Sequence, residues 1–496
     1  MSSSATVVSS PGKVLVAGGY LVLDPAFFGV VVSTSSRFYT SISEAPSGNE
    51  IRVRSPQFVD ATWVYSAHFV EGCIQVVDNV TQDSKNKFVH LALQSTLAVA
   101  AEIIGIDAVK KSLSRGLDIA IVGDNDFYSQ RAKLAELNLP RSFASLAHIP
   151  PFTPTGVRLP DVHKTCLGSS AALITSLVSG LLLHLSAIPR AAFSEMSSEG
   201  RHLAHNLSQY VHCLARGKVG SGFDVSAAVF GSQLYTRFDP EVLQSLMNDD
   251  SLRKEPLFPV LSPSNKSWNY QVKPFQLPPL TRLMLADVDA GSDTPSMVGK
   301  VLKWRKDHSD KSNKHWGDLD QSNQALAQTL LRLSQLHSEN AVDYASAVKY
   351  ISSLQSIQWL ANPNLPAGET RVVQAFYDVH THGQDIREKM REMGAYSGVP
   401  MEPEEQTHLL NACISLPGVI AGGVPGAGGY DAIWLLMCDA GPIPHQSTPI
   451  DLVEGVCGEW KELDVSPLSA SENNAKGVRI ENPEEIPGLS QAISSK

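Results

Sequence analysis

Apolar and polar positions alternate along this chain in a way that predicts a mixture of strands and helices. Residues 9–42 alternate apolar runs with turn residues, which predicts strands, with the triplet 30–32 in a buried one. Apolar residues at helical spacing predict a helix over residues 88–104. Further predicted elements are strands at 117–122, 283–286 and 433–438, and helices at 171–188, 198–214, 372–391 and from residue 222 onward.

Composition changes at residues 240–279, which are rich in proline, serine and other polar residues. With 496 residues the chain is too long for one small domain, so we place a boundary there. The predicted units are an N-terminal domain over 1–240, a linker over 241–280, a C-terminal domain over 281–445 and a polar tail over 446–496. We expect the tail either to pack as an edge or to be partly mobile.

Charge and cysteine usage narrow the class of protein. The chain is 43% hydrophobic with a formal net charge of -10, which is ordinary for a soluble globular protein and argues against a general nucleic-acid binder. An anionic substrate would therefore need a local positive site. Six cysteines without a C-x-x-C pair indicate reduced thiols in the cytosol. We see no signal peptide and read the apolar run 171–188 as a buried helix, so we expect a cytoplasmic protein with no membrane partner.

A glycine–serine loop, Leu-Gly-Ser-Ser-Ala-Ala at residues 167–172, runs straight into an apolar helix. Gly168 has no side chain, so the backbone there can approach a ligand closely. The free N–H groups and the dipole of the first helical turn favour an anion at this point. Ser169 and Ser170 add hydroxyls that can hold phosphate oxygens or Mg²⁺. The alternative is a serine pair that only caps the helix.

Three other segments carry candidate chemistry. Lys13 lies between a glycine turn and an apolar strand, and its alternative is a surface lysine whose stem follows apolar surface. Asp224 follows a glycine-rich stretch, where it is either an acid aimed into a site or a first-turn acid that stabilises the helix dipole. The segment 425–431 holds three glycines before a strand, which indicates either a close approach to a ligand or a tight turn.

The common motifs of other nucleotide and metal enzymes are missing from the sequence. It contains no G-x-x-x-x-G-K-[ST], so it is not a P-loop NTPase of the Walker type. It contains no H-R-D and no D-F-G, so it is not a protein kinase. A G-x-G-x-x-G after a strand and an H-E-x-x-H are absent as well.

The segments 11–20, 167–172 and 424–431, in this order, resemble the three motifs of the GHMP kinase superfamily. The stretch 218–231 resembles the segment that bears the acid of that family. The resemblance covers roughly residues 5–440. It implies an α+β protein with two domains, an N-terminal ribosomal-protein-like α+β domain and a C-terminal ferredoxin-like α+β domain, with the active site in the cleft between them.

Within the superfamily, the stretches 125–129, 218–226 and 291–298 resemble phosphomevalonate kinases of the fungal type. The resemblance implies transfer of phosphate from ATP, with Mg²⁺, to 5-phosphomevalonate, giving 5-diphosphomevalonate in the mevalonate route to isoprenoids and sterols such as ergosterol. The implied partners are these small molecules, with no nucleic acid, and the implied state is a monomer or a homodimer. The alternatives are another member, such as a mevalonate kinase or diphosphomevalonate decarboxylase, or a catalytically silent regulatory homologue.

The resemblance also implies roles for individual residues. Lys13 would stabilise charge on the transferred phosphoryl group, and Asp224 would either hold Lys13 and orient the acceptor or help to bind Mg²⁺, rather than act as a base. The implied nucleotide-binding residues are Lys164, Leu167, Gly168, Ser169, Ser170 and Ala171, with Ser170 also on Mg²⁺. The alternative for Lys164 is a solvated side chain. The implied substrate-binding residues are Ser221, Gly222, Ser292, Gly426, Ala427 and Gly428.

Two positions depart from the pattern of the family. Cys166 replaces the first glycine of the loop, and Tyr430 stands where the family often has glycine or a small residue. Cysteine is small, so we expect weaker nucleotide binding at most, provided that position 166 does not need a positive φ. These departures bear on the rate more than on the class of reaction.

Overall fold

The computed structural model describes residues 5–45, 50–70, 72–79, 86–247, 255–288, 294–441, 447–472 and 477–495. The strands within these ranges are β1 (Thr6–Ala17), β2 (Phe28–Glu44), β3 (Ile51–Arg54), β4 (Thr62–Val70), β5 (Cys73–Asp78), β6 (Leu117–Gly123), β7 (Gln233–Thr236), β8 (Gln271–Pro274), β9 (Thr281–Asp287), β10 (Val419–Gly423), β11 (Ala432–Cys438), β12 (Ser466–Leu468) and β13 (Arg479–Ile480).

The α-helices in the same ranges are α1 (Lys87–Ile104), α2 (Ile106–Leu113), α3 (Arg131–Glu136), α4 (Phe143–Leu146), α5 (Ser169–His184), α6 (Glu199–Arg216), α7 (Phe223–Phe230), α8 (Glu241–Gln244), α9 (Phe258–Leu261), α10 (Thr294–Asp307), α11 (Ser309–Glu339), α12 (Ala341–Ser352), α13 (Ala367–Ser397), α14 (Glu404–Ile414), α15 (Pro449–Glu459) and α16 (Leu489–Ser494). The strands and helices predicted from periodicity are confirmed, with ends that differ by a few residues.

The first sheet is built around two long antiparallel strands, β1 and β2. Its order is β13-β1-β2-β6-β3-β4-β5, and β7 pairs with β2 while β8 pairs with β7. Of these pairs only β3 with β6 is parallel within the described residues. The register of β1 against β2 shifts between Pro11 and Lys13. Proline has no N–H to give to the ladder, and such a bulge redirects the side chains next to it, here that of Lys13.

Helices α1, α5, α6 and α7 pack together against the first sheet. Most of α5 is buried, and the Thr40 and Ser176 hydroxyls form a hydrogen bond of 2.9 Å that joins the sheet to this helix. The prediction of a buried helix is therefore confirmed. Within the described residues one helix, α1, is long and apolar enough to cross a membrane, and half of its apolar window is buried inside the fold.

The second sheet has four antiparallel strands in the order β10-β11-β9-β12. Two helices of 31 residues each, α11 and α13, pack against one another, and α13 also packs on β10. Helices α14 and α15 cover part of this sheet with a separate apolar cluster. The two sheets with their helices agree with the mixed α+β class expected from the sequence.

Segments outside the two predicted domains also contribute strands. In the predicted linker, β8 pairs with β7 and so extends the first sheet. In the predicted tail, β12 pairs with β9 of the second sheet, and β13 pairs with β1 of the first. The expectation that the tail packs as an edge is confirmed for these strands. The tail thus connects both sheets at their margins.

Candidate active site

Lys13 reaches the glycine–serine loop from β1. Its Nζ donates to the Cys166 carbonyl oxygen at 3.0 Å, and its backbone N–H donates to the Leu167 carbonyl oxygen at 2.9 Å. The Nζ also lies 5.3 Å from the centre of the Phe223 ring, at the start of α7. The side chain is therefore held between the loop and α7, and the interpretation as a surface lysine is wrong.

The glycine–serine loop ends at the N-terminus of α5 in a form that leaves backbone donors uncapped. Gly168 is the N-cap residue, with φ of 76°, and no side chain caps this helix end. Ser169 and Ser170 lie in the first turn, so the alternative in which the serines only cap the helix is wrong. A Cβ on Gly168 would lie 2.9 Å from Lys13 Cε, so a glycine is required for this close approach.

A chain of polar groups links the loop to α7. The Ser170 Oγ lies 3.1 Å from His212 Nε2, and the same nitrogen lies 3.7 Å from Asp224 Oδ2. Asp224 is the second residue of α7, whose N-cap Gly222 has φ of 78° and supplies no side-chain cap. Both α5 and α7 thus direct a helix N-terminus toward Lys13. Two positive helix ends next to one lysine favour a polyanionic ligand.

Two residues of this arrangement, His212 and Arg216, were missed by the analysis of the sequence. Both lie on α6, four positions apart and hence on one face, and Arg216 Nη2 donates to Ser170 Oγ at 3.2 Å. The sequence does contain a signal for them, because a histidine and an arginine four residues apart directly precede the glycine-rich stretch 217–222. Periodicity alone does not say that this face of α6 meets residue 170.

The third glycine segment packs against the end of β1. Gly426 N–H donates to the Leu15 carbonyl oxygen at 3.2 Å, and the Tyr20 hydroxyl donates to the Ala427 carbonyl oxygen at 2.9 Å. A Cβ on Gly428 would lie 2.0 Å from the Met401 carbonyl oxygen. The backbone of this segment is therefore closely packed. The segment also brings Asp431, the residue just before β11, near Lys13 and Cys166.

The charges of the site act on one another. Burial lowers the pKa of Lys13, and this is partly offset by Cys166 and then by the carboxylate of Asp224. Burial by itself would raise the pKa of Asp224, but His212 and Lys13 outweigh it and the pKa is lowered. Burial lowers the pKa of His212. The site therefore holds an ionised Asp224 carboxylate at neutral pH.

Cys166 fits the loop without strain of the backbone. The described non-glycine residues with positive φ do not include it, so the condition set for a tolerated cysteine is met. Burial, and then the charge of Asp431, raise the pKa of its thiol well above the ordinary value. All six cysteines are free, which agrees with the predicted reduced thiols. The residue acts here mainly through its carbonyl oxygen, which holds Lys13.

The remaining predicted residues differ in what the structure gives them. Lys164 is exposed and forms a β-bridge with Tyr128. The pKa of its ammonium group is lowered, first by partial burial and then by the charge of Arg216. The Ser221 carbonyl oxygen accepts from the Tyr235 hydroxyl at 2.9 Å. Ala171 is buried within α5. Ser292 lies outside the described residues.

The donor set near α5 is compatible with magnesium brought by a nucleotide. Within the described residues no group of three or more histidine, cysteine or carboxylate side chains is arranged to hold a metal. The oxygen donors at hand are the Ser170 hydroxyl and the ionised Asp224 carboxylate, joined through His212. Because Mg²⁺ usually takes one or two protein oxygens and completes its shell with phosphate and water, such a sparse set fits it.

Comparison with known proteins gives the family. No family model matches the chain. It is 38% identical over 461 residues to the peroxisomal phosphomevalonate kinase of Arabidopsis thaliana, covering 87% of this chain and 90% of that protein. The chain belongs to the phosphomevalonate kinase family of the GHMP superfamily. The phosphomevalonate kinase of Aspergillus fumigatus is 37% identical over 473 residues, which cover 88% of this chain and 88% of that protein. The phosphomevalonate kinase of Candida albicans is 31% identical over 493 residues, which cover 97% of this chain and 99% of that protein.

A solved phosphomevalonate kinase shares the fold. The Streptococcus pneumoniae enzyme, in complex with phosphomevalonate and AMPPNP, matches with a TM-score of 0.56 at 15% identity, covering 94% of this chain and 99% of that one. The mixed α+β GHMP kinase fold expected from the sequence is therefore confirmed. The chain is a member of a family of ATP-dependent phosphotransferases.

Proposed function

We propose that this chain transfers the γ-phosphate of ATP to (R)-5-phosphomevalonate, giving ADP and 5-diphosphomevalonate. The observation that carries the proposal is the position of Lys13, whose amine lies between the glycine–serine loop and α7. Two uncapped helix ends meet at this lysine, in a protein whose net charge is -10. A local positive site in an acidic protein is what two polyanionic substrates require.

The reaction needs positioning more than a base. An oxygen of the acceptor phosphate bonds to the γ-phosphorus, the bond from that phosphorus to the bridging oxygen breaks, and ADP leaves with the electron pair. The acceptor monoester has a second pKa of about 6, so at neutral pH it is already largely a dianion. No proton has to be removed for attack. The protein must instead bring two polyanions together and neutralise the charge that moves.

Lys13 and Asp224 divide this work. The ammonium group of Lys13 lies between the groups that would hold the two substrates, where it can stabilise charge on the transferred phosphoryl. Asp224 favours the charged form of Lys13, as its effect on the pKa of that lysine indicates. The lowered pKa of Asp224 makes it a weak base, in agreement with the role of a holder.

The nucleotide phosphates would lie on the first turn of α5. The uncapped N–H groups behind Gly168 and the hydroxyls of Ser169 and Ser170 supply donors there, and Lys164 adds charge nearby. Mg²⁺, when bound, would neutralise phosphate charge, and Ser170 with Asp224 would hold it. The acceptor would lie toward Ser221, Gly222 and the Gly-Ala-Gly segment at residues 426–428.

The test is ADP release by the purified protein with Mg-ATP, measured with mevalonate, phosphomevalonate and diphosphomevalonate offered separately. We expect turnover with phosphomevalonate. We expect Lys13→Met to lower kcat by about 10²–10³-fold, which is typical for loss of one preorganised donor. Lys349→Met, at an exposed lysine of α12, is the matched control and keeps the wild-type rate. Turnover with mevalonate alone would replace the acceptor in this proposal.

The compartment and the assembly state are part of the same proposal. We expect a cytoplasmic protein that is a monomer or a homodimer. A fluorescent fusion in the source cells tests the compartment, and a peroxisomal signal, as the name of the Arabidopsis relative would indicate for that plant enzyme, would overturn it. Light scattering of the purified protein measures the mass against 53.5 kDa per chain.

A further inference from the structure

Arg216 is a cation at the glycine–serine loop that the reaction described above does not use. It is the last residue of α6, its side chain is exposed, and Nη2 donates to Ser170 Oγ at 3.2 Å. Within the described residues this is the hydrogen bond that the structure gives its guanidinium. The other N–H donors of the group therefore remain available to a ligand at the first turn of α5.

An arginine at the end of a helix commonly serves the helix itself, by binding its last carbonyl groups. That role is already filled at α6. Gly217 has φ of 71°, and its N–H bonds to the carbonyl oxygens of Cys213 and Leu214, while Lys218 N–H donates to the Cys213 carbonyl oxygen at 3.2 Å. The guanidinium instead crosses to another helix. Capping of α6 does not account for its position.

The charge of Arg216 reaches the other ionisable groups of the site. It contributes to lowering the pKa of Lys13, Lys164 and His212, and it helps to keep Asp224 ionised. Its bond to Ser170 fixes the charge next to the uncapped N–H groups of α5. Within the described residues the guanidinium of Arg216 forms no direct ion pair with a carboxylate, and Asp224 acts on it only at longer range. The guanidinium adjoins the first turn of α5, where the proposed function puts the nucleotide phosphates.

We propose that Arg216 binds the terminal phosphate of ATP directly and holds it through transfer to the acceptor. The proposal rests on the proposed function, which puts the nucleotide phosphates on the first turn of α5 and the acceptor beside them. Guanidinium presents planar paired donors that match phosphate oxygens, which a lysine does not. As the acceptor oxygen bonds to the γ-phosphorus and the bond to the β-phosphate oxygen breaks, Arg216 would stay on the equatorial oxygens. Lys13 on one side and Arg216 on the other would then share the charge.

The first test compares binding of ATP and ADP by calorimetry, without acceptor, in the full-length protein. We expect Arg216→Gln to weaken ATP binding about tenfold and to leave ADP binding unchanged, because only ATP has the phosphate that Arg216 contacts. A change of about tenfold in affinity is at the lower end of the range for a charged hydrogen bond, and we choose it because Arg216 is exposed. Arg190→Gln, at an exposed arginine just before the N-terminal end of α6, is the control. Equal effects on ATP and ADP, or none on either, would overturn the proposal.

A double-mutant cycle separates contact with phosphate from positioning of the loop. If Arg216 acted only by holding the Ser170 hydroxyl, Arg216→Gln would change nothing in a Ser170→Ala background. We expect a further loss of about tenfold in ATP affinity there, and no further loss would overturn direct contact. Arg216→Met, which keeps an unbranched stem and a good helix former, replaces Arg216→Gln if the latter does not fold. A wild type that binds ATP but does not turn over phosphomevalonate would refute the acceptor assignment alone. The proposal for Arg216 would still be tested, because the calorimetric comparison of ATP and ADP binding needs no acceptor.

Discussion

The close approach of Gly168 to Lys13 leads to a prediction in which stability and activity separate. In Gly168→Ala the new Cβ would lie 2.9 Å from Lys13 Cε and 3.3 Å from Cγ. Carbon atoms do not normally approach so closely. Because the lysine side chain is flexible and the neighbouring backbone is not, the lysine is the part that moves. Its 3.0 Å hydrogen bond to the Cys166 carbonyl oxygen is then lost.

Backbone strain adds a second effect of known size. Gly168 has φ of 76°, and an alanine in this left-handed region costs about 1–2 kcal/mol of folding free energy. Gly398, at the end of α13, has φ of 65° and nothing within 4 Å of its would-be Cβ. Gly398→Ala therefore carries the same strain without the collision. It is the matched control for the contribution of Lys13.

We expect both variants to lose about 1–2 kcal/mol in urea unfolding. Only Gly168→Ala should lose activity, with kcat lower by about 10²–10³-fold, as for removal of the lysine. The assay is ADP release at saturating ATP and phosphomevalonate, at a temperature where both variants are folded. A Gly168→Ala enzyme with the kcat of Gly398→Ala would refute the reasoning, because Lys13 would then not depend on the glycine.

Three other predictions follow from buried groups. Arg131→Met removes the buried ion pair between Arg131 and Asp287, so we expect a loss of about 3–5 kcal/mol in urea unfolding, and a loss below 1 kcal/mol would contradict it. Burial raises the pKa of Asp124 to about 7, so the folded state keeps a proton that the unfolded chain releases near pH 4, and stability falls as pH rises from about 4 to about 7. Asp124→Asn should flatten this slope in unfolding curves taken across the window, and an unchanged slope would assign it elsewhere. The raised pKa of the Cys166 thiol predicts slow alkylation by iodoacetamide at pH 8 in native protein, and rapid native labelling of Cys166, located by mass spectrometry, would contradict it.

Much of the site could be predicted from the sequence because its parts are local. A glycine before two serines and an apolar helix indicates the loop and the helix end within six residues, and it predicts their affinity for anions. Lys13 and Asp224 stand beside glycine turns of the same kind. The structure adds what local pattern does not contain, namely that Lys13 contacts the carbonyl oxygen of Cys166, 153 residues away along the chain.

The residues that were missed depend on packing between helices. His212 and Arg216 belong to a helix whose polar positions look like those of any amphipathic helix, and only its packing on α5 brings them to Ser170. Likewise β8 is a short strand with mostly exposed residues, so its composition is typical of a linker. Pairing with β7 makes it part of a sheet, and this pairing cannot be predicted from its composition.

The pairing of β13 with β1 also determines when the first sheet can be completed during synthesis of the chain. Val8 and Ser9 pair with Ile480 and Arg479, so β1 leaves the ribosome long before the residues that cover its outer edge. The same first strand carries Lys13. Contacts so distant in sequence close slowly, because the loop between them must be ordered first. The nascent chain therefore presents an open strand edge until residues 479 and 480 have been made, and an unpaired edge of this kind is prone to aggregation.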